Sequence, residues 1–349
     1  MARRETEKPG IRDVAEAAGV SPTTVSHAMS GKGRISEQTK ERVKRAAAEL
    51  GYMPNLNAQG LAKGRKGLIA LIVGGSPSRD VPTIERLPDF MYLANIAVSA
   101  SNHAVRQGFG LLLTPDSGDP ETLLDLGTSA VLLVDPVKDD SAAAEMLSRG
   151  VPVVTLGRIP GATDGENPYW VDNDHREATK QTLEHFSLQG ARNIALISGP
   201  VEASYTADSL EAYRSWCEAS GEEATIITIE ADPFASASRE QIRSILQSPN
   251  RPDAILCLLH PLARISLVTA IDLGIGVPDD LLIATISDDR QVNASREGVP
   301  DITGTDLNPA TLAREGIDIA SSLMQGEEPD NPHRLIPTTL IPRGSSTRA

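Results

Sequence analysis

The sequence predicts an all-α helix-turn-helix head followed by an α/β body with two parallel-sheet subdomains. Within residues 11–50, short stretches with helical apolar spacing are separated by glycines, whereas from Leu68 onward apolar runs alternate with helical segments. Charge divides the chain at the same place. Residues 1–66 contain 13 Lys and Arg and 7 Asp and Glu, and the remaining residues contain 20 and 40. A basic head on an acidic body indicates that contact with nucleic acid is confined to the head; a solvated basic tail is the alternative.

Length and composition exclude several classes of protein. The 349 residues exceed one ordinary core, since domains hold about 100–200 residues. No apolar run approaches the about 18 residues of a membrane span, and the charged start Met1–Glu5 leads into no signal-peptide core. The two cysteines, Cys217 and Cys257, have no metal-ligand spacing. We therefore expect a cytoplasmic protein without a membrane partner, a bound metal or a cofactor.

The first helix of the head is predicted over Ile11–Ala18, where apolar residues recur three and four positions apart. Gly19 ends it at a position that favours positive φ. Ser21 caps the next helix and Pro22 takes its first position, where no amide donor is needed. The residues expected on the inner face are Ile11, Val14, Ala15 and Ala18.

Two further helices complete the predicted head. Val25 anchors the second helix, and Gly31 ends it. Ser36 begins a third helix, Glu37–Leu50, which is expected to bury Val43, Ala46, Ala47 and Leu50. Two short helices joined by a tight turn indicate helix-turn-helix geometry, in which the second helix enters the DNA major groove. A three-helix packing module with a polar surface is the alternative.

The second helix presents hydroxyl groups and an imidazole near its N-terminus. Such groups suit phosphate oxygens and base edges, and a helix N-terminus favours phosphate. The candidate DNA contacts on this helix are Ser21, Pro22, Thr23, Thr24, Ser26 and His27.

The head resembles that of the LacI/GalR family of bacterial repressors. The resemblance implies that Pro22, Thr23 and His27 read the operator; many members carry Arg where this chain has His27, which bears on the operator read. The matching segments are Ile11–Ser21, Thr24–Ser26, Gly31–Ser36 and Glu49–Asn55.

Residues Pro54–Ala62 resemble the hinge helix of that family. The resemblance implies that this segment folds on DNA, with Leu61 inserted into the minor groove; such a wedge unstacks and bends the duplex. Gly60 departs from the pattern and costs about 1 kcal/mol within a helix. A flexible linker is the alternative, and Gly64–Gly67 is typical of one. The remaining expected groove contacts are Asn55, Ala58 and Gln59.

Two sets of buried parallel strands are predicted in the body, separated by segments long enough for helices. The first set is Leu68–Val73, Gly110–Thr114, Ala130–Val134 and Val151–Leu156, and the second is Ile194–Ser198, Ala224–Ile229, Ala254–Leu259 and Leu281–Ile286. The resemblance extends weakly to Gly344 and implies a periplasmic-binding-protein-like core with a small molecule in the cleft between its halves.

These observations divide the chain into a DNA-binding head at 1–54, a hinge and linker at 55–67, and a core at 68–349. The core is expected to serve effector binding and dimerisation. Its first subdomain is predicted at about 68–168 and 300–326, and its second at about 169–299 and 327–349.

Ligands of open α/β sheets bind at the carboxyl ends of strands, so the loops there should form the pocket. By resemblance, Phe90 and Phe234 supply aromatic contacts and Asp288 accepts bonds from effector hydroxyls. Ala203, Tyr205 and Ser209 occupy further contact positions. Arg158 is either a relocated effector-binding cation or a surface charge.

Several polar residues usual in this pocket are replaced. Ser209 occupies a position where the family often has Arg. Leu259 and His260 replace a usual Asn-Asp pair, and Gly157 replaces a usual Asp. An unmodified sugar would lose several charge-assisted hydrogen bonds in such a site. The substitutions predict an effector less hydroxylated than a simple free sugar, with an anionic ligand as one alternative, or no effector at all.

The function predicted is a sequence-specific DNA-binding regulator of transcription, a repressor that binds a pseudopalindromic operator as a homodimer through a segment around Phe90–Ala104. A regulator that has lost its small-molecule ligand is one alternative. A free solute-binding protein is another, but it has no use for the first 62 residues. An enzyme is not expected, because no HExxH pattern or phosphate loop is present and the polar run Asp172–His175 is interpreted as structural.

Overall fold

The computed structural model describes residues 10–30, 35–50, 67–73, 91–114, 120–163, 165–200, 203–231, 235–288 and 298–348. The chain forms two compact units, Met1–Gly67 and Leu68–Ala349. Within the described ranges, no helix is long and apolar enough to cross a membrane.

The described part of the first unit forms the helices α1 (Ile11–Ala18), α2 (Pro22–Ser30) and α3 (Glu37–Leu50). Its apolar core contains Val14, Val25 and Val43, all fully buried. The predicted helix bounds are confirmed. The expected burial of Leu50 is wrong: this side chain is 38% exposed, because the buried face of α3 ends at Ala47.

Local chemistry explains where these helices begin and end. Gly19 ends α1 with φ +62°, a backbone conformation that costs little only without a Cβ. The Ser21 Oγ accepts a hydrogen bond from the Thr24 amide at 3.1 Å, and the Ser36 Oγ accepts one from the Thr39 amide at 3.2 Å. Each serine side chain therefore binds an amide of the first turn of its helix, which is the role of an N-cap residue.

Within its described residues, the second unit forms two parallel sheets. The first sheet has the strand order β11-β5-β4-β3-β1-β2. Its strands are β1 (Leu68–Val73), β2 (Gly110–Thr114), β3 (Thr128–Val134), β4 (Val153–Leu156), β5 (Trp170–Asn173) and β11 (His333–Ile336). Its helices are α4 (Met91–Arg106), α5 (Pro120–Asp125), α6 (Ser141–Ser148) and α11 (Pro309–Met324).

The second sheet has the order β7-β6-β8-β9, again parallel. Its strands are β6 (Ile194–Ser198), β7 (Thr225–Thr228), β8 (Ala254–Cys257) and β9 (Leu282–Thr285), and its helices are α7 (His175–Leu188), α8 (Ser204–Ser220), α9 (Ser236–Leu246) and α10 (His260–Asp272). A short antiparallel pair joins β10 (Gly304–Asp306) to β12 (Thr339–Ile341).

The predicted boundary between the two subdomains, after residue 168, is wrong for two strands of the first sheet. Strand β5 pairs with β4 through Thr155 and Trp170, and β11 pairs with β5, so both strands belong to the first subdomain. The chain crosses to the second subdomain after Asn173. Both strands have four residues and mixed polarity, so their sequences carry no strong strand signal.

Close packing holds the first subdomain together. Helix α11 lies against the sheet at Gly316, where an added Cβ would come within 2.7 Å of Leu156 Cδ2 and 2.8 Å of Leu132 Cδ1. Both leucines are fully buried, and burying each such side chain contributes about 1.5–3 kcal/mol. Glycine therefore permits the helix to approach the core at this point.

Candidate functional site

Helix α2 carries the predicted DNA contacts of the head. Its buried residues Val25 and Ala28 face the core of the head. The side chains exposed on this helix are those of Pro22, Thr23, Ser26 and His27. The helix contains no acidic residue to oppose a phosphate at its N-terminus. This surface can contact both the backbone and the base edges of a major groove.

Ser21 and Thr24 have a structural role as well. Their hydroxyl oxygens lie 2.9 Å apart, and the Thr24 amide donates to Ser21. Ser21 is exposed and Thr24 is half-buried. The two residues therefore fix the start of α2, which sets the direction in which the exposed residues point.

Six predicted contacts lie outside the described residues, and their roles stay predictions. Four belong to the hinge and two to the aromatic part of the effector pocket: Asn55, Ala58, Gln59, Leu61, Phe90 and Phe234.

In the second unit, polar groups from both subdomains meet at the carboxyl ends of β3, β4 and β5. Asp135 follows β3, Arg158 follows β4 and Asp172 lies in β5. Ser204 and Asp208 of the second subdomain come from the first turns of α8. This meeting place is called the cleft site below.

Arg158 connects the two subdomains. Its Nε donates to Asp172 Oδ2 at 3.0 Å, and its terminal nitrogen forms an ion pair with Asp208 of the second subdomain. Its backbone amide donates to Asp172 Oδ2 and to the Ser204 Oγ, both at 3.2 Å. The Arg158 side chain is 33% exposed, whereas Asp172 and Asp208 are buried. Arg158 is therefore neither a simple surface charge nor a free cation.

The environment of each charge is visible in its pKa. Burial acts to lower the pKa of Arg158, but hydrogen bonding and attraction to Asp172 and Asp208 outweigh it and raise that pKa. Burial raises the pKa of Asp208 despite the two arginines beside it. Those arginines are Arg158 and Arg176, the second of which contacts Asp208 Oδ1 at 3.0 Å and also pairs with Glu211.

Asp135 differs from the other two acids. Burial and the nearby charge of Asp172 raise the pKa of Asp135 to about 7. Its backbone has φ +48°, and its side chain has no hydrogen bond or ion pair among the described residues. Burial and the charge of Asp135 raise the pKa of Tyr205. An acid that directly follows a buried parallel strand is the sequence signal that identifies Asp135 as a site residue.

His175, the first residue of α7, lies beside the same groups. Its Nε2 is 3.8 Å from Asp172 Oδ1, and its ring centroid is 6.0 Å from that of Tyr205. The residue is 5% exposed and Nδ1 has no hydrogen-bond partner. Burial lowers the pKa of His175 in spite of the nearby acids, so the ring is neutral near pH 7.

The other predicted effector contacts have different surroundings. Ala203 is buried at the start of α8, and Ser209 is fully buried with an unpartnered hydroxyl oxygen. Asp288 accepts a hydrogen bond from the Arg343 guanidinium at 2.7 Å, and Arg343 also donates to the Ile302 carbonyl at 2.6 Å. Asp288 therefore holds the segment that follows β12 in place.

The substitution at Gly157 has a structural basis. Gly157 has φ +102°, and an added Cβ would lie 3.4 Å from both Pro136 Cδ and Ser204 Oγ. An aspartate, which the family resemblance leads one to expect here, would be strained and would crowd the second subdomain. Glycine permits the close approach of the two subdomains at this point.

Among the described residues, no group of three or more His, Cys, Asp or Glu side chains has the arrangement of a metal site. Two acids of the cleft site, Asp172 and Asp208, are instead bound by arginines. The arrangement supports charge recognition and hydrogen bonding.

Each of the two units contains a segment that matches a known protein family. Residues 10–55 match the model of bacterial regulatory proteins of the lacI family, and residues 183–346 match a periplasmic binding protein-like domain. Catabolite control protein A of Staphylococcus epidermidis is 25% identical, over 96% of this chain and 98% of its own. The HTH-type transcriptional regulator CelR of Thermobifida fusca is 26% identical, over 99% of this chain and all of its own.

Solved structures show the same fold. A transcriptional regulator CelR–cellobiose complex has a TM-score of 0.70 at 25% identity, covering 97% of this chain and all of that one. The lac repressor dimer bound to operator and the anti-inducer ONPF has a TM-score of 0.69 at 22% identity, covering 98% and 100%.

A helix-turn-helix head followed by a two-sheet core with a polar cleft defines a DNA-binding regulator of transcription with an effector-binding core. The chain is similar to the lacI family of bacterial regulatory proteins in its head and to periplasmic binding protein-like domains in its core. The predicted fold class and the predicted resemblance to this family are therefore confirmed, and the relatives are named as regulators.

Proposed function

We propose that this protein represses transcription in the bacterial cytoplasm, at the nucleoid, by binding a pseudopalindromic operator as a homodimer. A small molecule in the cleft changes its affinity for DNA. The observation that carries the proposal is the exposure of Pro22, Thr23, Ser26 and His27 on one helix whose other face is buried. Polar residues on the outer face of a second helix are what major-groove recognition requires.

A homodimer follows from the limited reach of one head. One recognition helix contacts only a few base pairs, and two-fold proteins match half-sites one helical turn apart. The relatives support this reading, since one solved neighbour is a lac repressor dimer on its operator. Helix α4 lies in the segment predicted for the interface and exposes Val98 and Val105, which are 61% and 63% exposed. These valines are seven residues apart and share one face.

The effector is proposed to bind at the cleft site, in the position where open α/β sheets bind ligands. Arg158, Tyr205, Ser209 and Ala203 lie in or next to it. One solved neighbour holds cellobiose. The replaced polar residues support a ligand other than a simple free sugar for this chain.

A regulator without a small-molecule ligand is the second candidate. The ion pair between Arg158 and Asp208 supports it, because it joins the subdomains without a ligand. Thermal denaturation with a metabolite panel separates the two candidates, since a ligand at 100 times its Kd adds about 2.7 kcal/mol of stability.

Genomic footprinting with the purified full chain tests the proposed function. We expect protected sites that share a pseudopalindromic sequence with half-sites about one helical turn apart. Binding without sequence preference, or a stable monomer in sedimentation that still binds its site at nanomolar concentration, contradicts the proposal.

A further inference from the structure

The acids of the cleft site differ in whether an arginine binds them. Asp172 and Asp208 are each bound by Arg158, and Asp208 is also bound by Arg176. Asp135 is the acid of this group that no cation binds among the described residues. We propose that the cleft binds a small molecule with a protonated amine, whose N–H groups donate to the Asp135 carboxylate. This proposal rests on the proposed function, in which the cleft holds the effector.

Asp135 lies where both subdomains can contact a ligand. It directly follows β3 in the first subdomain. A Cβ built on Gly157 would lie 3.7 Å from the Asp135 Cα and 3.4 Å from the Ser204 Oγ of the second subdomain. The charge of Asp135 also raises the pKa of Tyr205 in α8. A ligand on Asp135 therefore contacts groups of both subdomains, as an effector that alters their arrangement must.

An anionic ligand finds no uncommitted cation among these groups. Arg158 is engaged by two buried carboxylates, and Arg176 by Asp208 and Glu211. A carboxylate or phosphate ligand has to displace one of these pairs and leave a buried acid without its partner, which is costly. The structure therefore favours a cation over the anionic alternative that the sequence leaves open.

A second, independent observation points to a donor-rich ligand. His175 is 5% exposed and neutral, and its Nδ1 has no partner although it lies beside Asp172 and Tyr205. With the ring proton on Nε2, which faces Asp172, Nδ1 is an acceptor. The buried Ser209 Oγ, one helical turn after Tyr205, is also unpartnered. A protonated amine has three donors and no acceptor, so it complements unpartnered acceptors of these kinds.

A hydroxyl group fits less well than an amine. It donates one hydrogen and carries no charge, so it leaves the repulsion between Asp135 and Asp172 in place. An ammonium group balances that charge and forms charge-assisted hydrogen bonds.

Two matched sets of compounds test the proposal with the full chain at pH 7.5. One set is putrescine, 1,4-butanediol and succinate, and the other is 4-aminocyclohexanol, 1,4-cyclohexanediol and 4-hydroxycyclohexanecarboxylate. Calorimetric titration and thermal shift are measured up to millimolar concentration. We expect the amine of at least one set to bind at least about tenfold more tightly than its hydroxyl and carboxylate counterparts, as one charge-assisted hydrogen bond predicts.

Asp135→Asn should weaken amine binding by about tenfold or more, because the amide has no charge. Asp139→Asn is the matched control: Asp139 lies in the same loop, is exposed and also has positive φ, at +55°. It should leave binding unchanged. Melting curves without ligand check that both variants fold.

Amine binding no tighter than hydroxyl or carboxylate binding in both sets, or no binding of either amine, overturns the proposal. Equal binding of the amine by wild type and Asp135→Asn also overturns it. Operator binding is measured on the same preparations. If it persists while the amines fail, the amine proposal fails and the proposed function stands; if sequence-specific DNA binding is absent, the proposed function itself fails.

Discussion

The guanidinium of Arg158 in the first subdomain forms an ion pair with Asp208 in the second, so one side chain joins the two walls of the cleft. The same guanidinium binds Asp172, which lies in β5 immediately before the chain crosses to the second subdomain. A change in the angle between the subdomains must therefore lengthen or break a charged contact. Opening the cleft therefore costs electrostatic free energy, and that cost depends on Arg158.

Replacing Arg158 should destabilise the core more than replacing its neighbour. In Arg158→Met, Asp172 and Asp208 lose a partner while buried, and we expect the free energy of unfolding to fall by about 1–3 kcal/mol, less than for a fully buried pair because Arg158 is 33% exposed. Arg176→Met is the matched control, since Arg176 also binds Asp208 but is 47% exposed. It should cost less than about 1 kcal/mol. Urea denaturation measures both; equal losses contradict the role assigned to Arg158.

Asp135 should make stability depend on pH. Its pKa is about 7 in the folded protein against an ordinary 3.8, so the folded state binds this proton more tightly than the unfolded chain does. The resulting destabilisation is absent below about pH 4, grows between about pH 4 and 7, and is constant above pH 7.

Asp135→Asn removes that titration. It should raise the free energy of unfolding relative to wild type by about 1–2 kcal/mol more at pH 8 than at pH 5, after allowance for the half-exposed position. Asn accepts the positive φ of this residue, so the backbone is not strained. Denaturation at the two pH values measures the difference, with Asp139→Asn as the control that shows none. A larger gain at pH 5 has the wrong sign and contradicts the assignment.

Local signals predict the head well. Gly19, Ser21 and Pro22 each act on the turn in which they stand, and the structure confirms the helix bounds that they imply. Apolar runs likewise predict strands of both sheets, but the expected burial is wrong for β2 and β7, which lie at sheet edges and are largely half-buried. Strand β5 is different: its pairing with β4 and β11 joins distant segments, and no feature within its four residues specifies that.

The cleft site is harder to predict from sequence because its contacts also join segments that are distant in the chain. Arg158 can be identified as a candidate cation from its place after a strand, but its partner Asp208 lies 50 residues further on, in the other subdomain. The pairing exists only once both subdomains have folded. Asp135 follows a strand as Arg158 does, yet its lack of a partner can be recognised only from the folded arrangement.

His27 should contribute to sequence preference. It is exposed on α2 and can hydrogen-bond a base edge. His27→Ala should relax the preference at one or two operator positions by about 1–3 kcal/mol. Binding across an operator library measures this. Gln38→Ala, which alters an exposed residue of α3, is the control and should leave base preference intact; a uniform loss of affinity for every sequence in the His27 variant contradicts the role.

Leu61 lies outside the described residues, and its role as a minor-groove wedge stays a prediction. Leu61→Ala should weaken binding to the operator while sparing nonspecific affinity, because a wedge acts only when the minor groove opens. Competition between operator and random DNA separates the two effects. A parallel loss on both kinds of DNA assigns Leu61 to general affinity instead.

The exposed valines of α4 should hold the dimer together. Val98 and Val105 lie on one face of the helix, and their side chains are more than half exposed in the single chain. Introducing Val98→Glu and Val105→Glu together would place charges in the proposed interface, where desolvation costs several kcal/mol per ion. We expect sedimentation equilibrium to show a monomer and operator affinity to fall, since both half-sites can no longer be bound together. Leu188→Glu is the matched control, because Leu188 is 85% exposed on α7 of the second subdomain. It should leave the dimer intact; a double variant that dimerises like wild type assigns the interface to another surface.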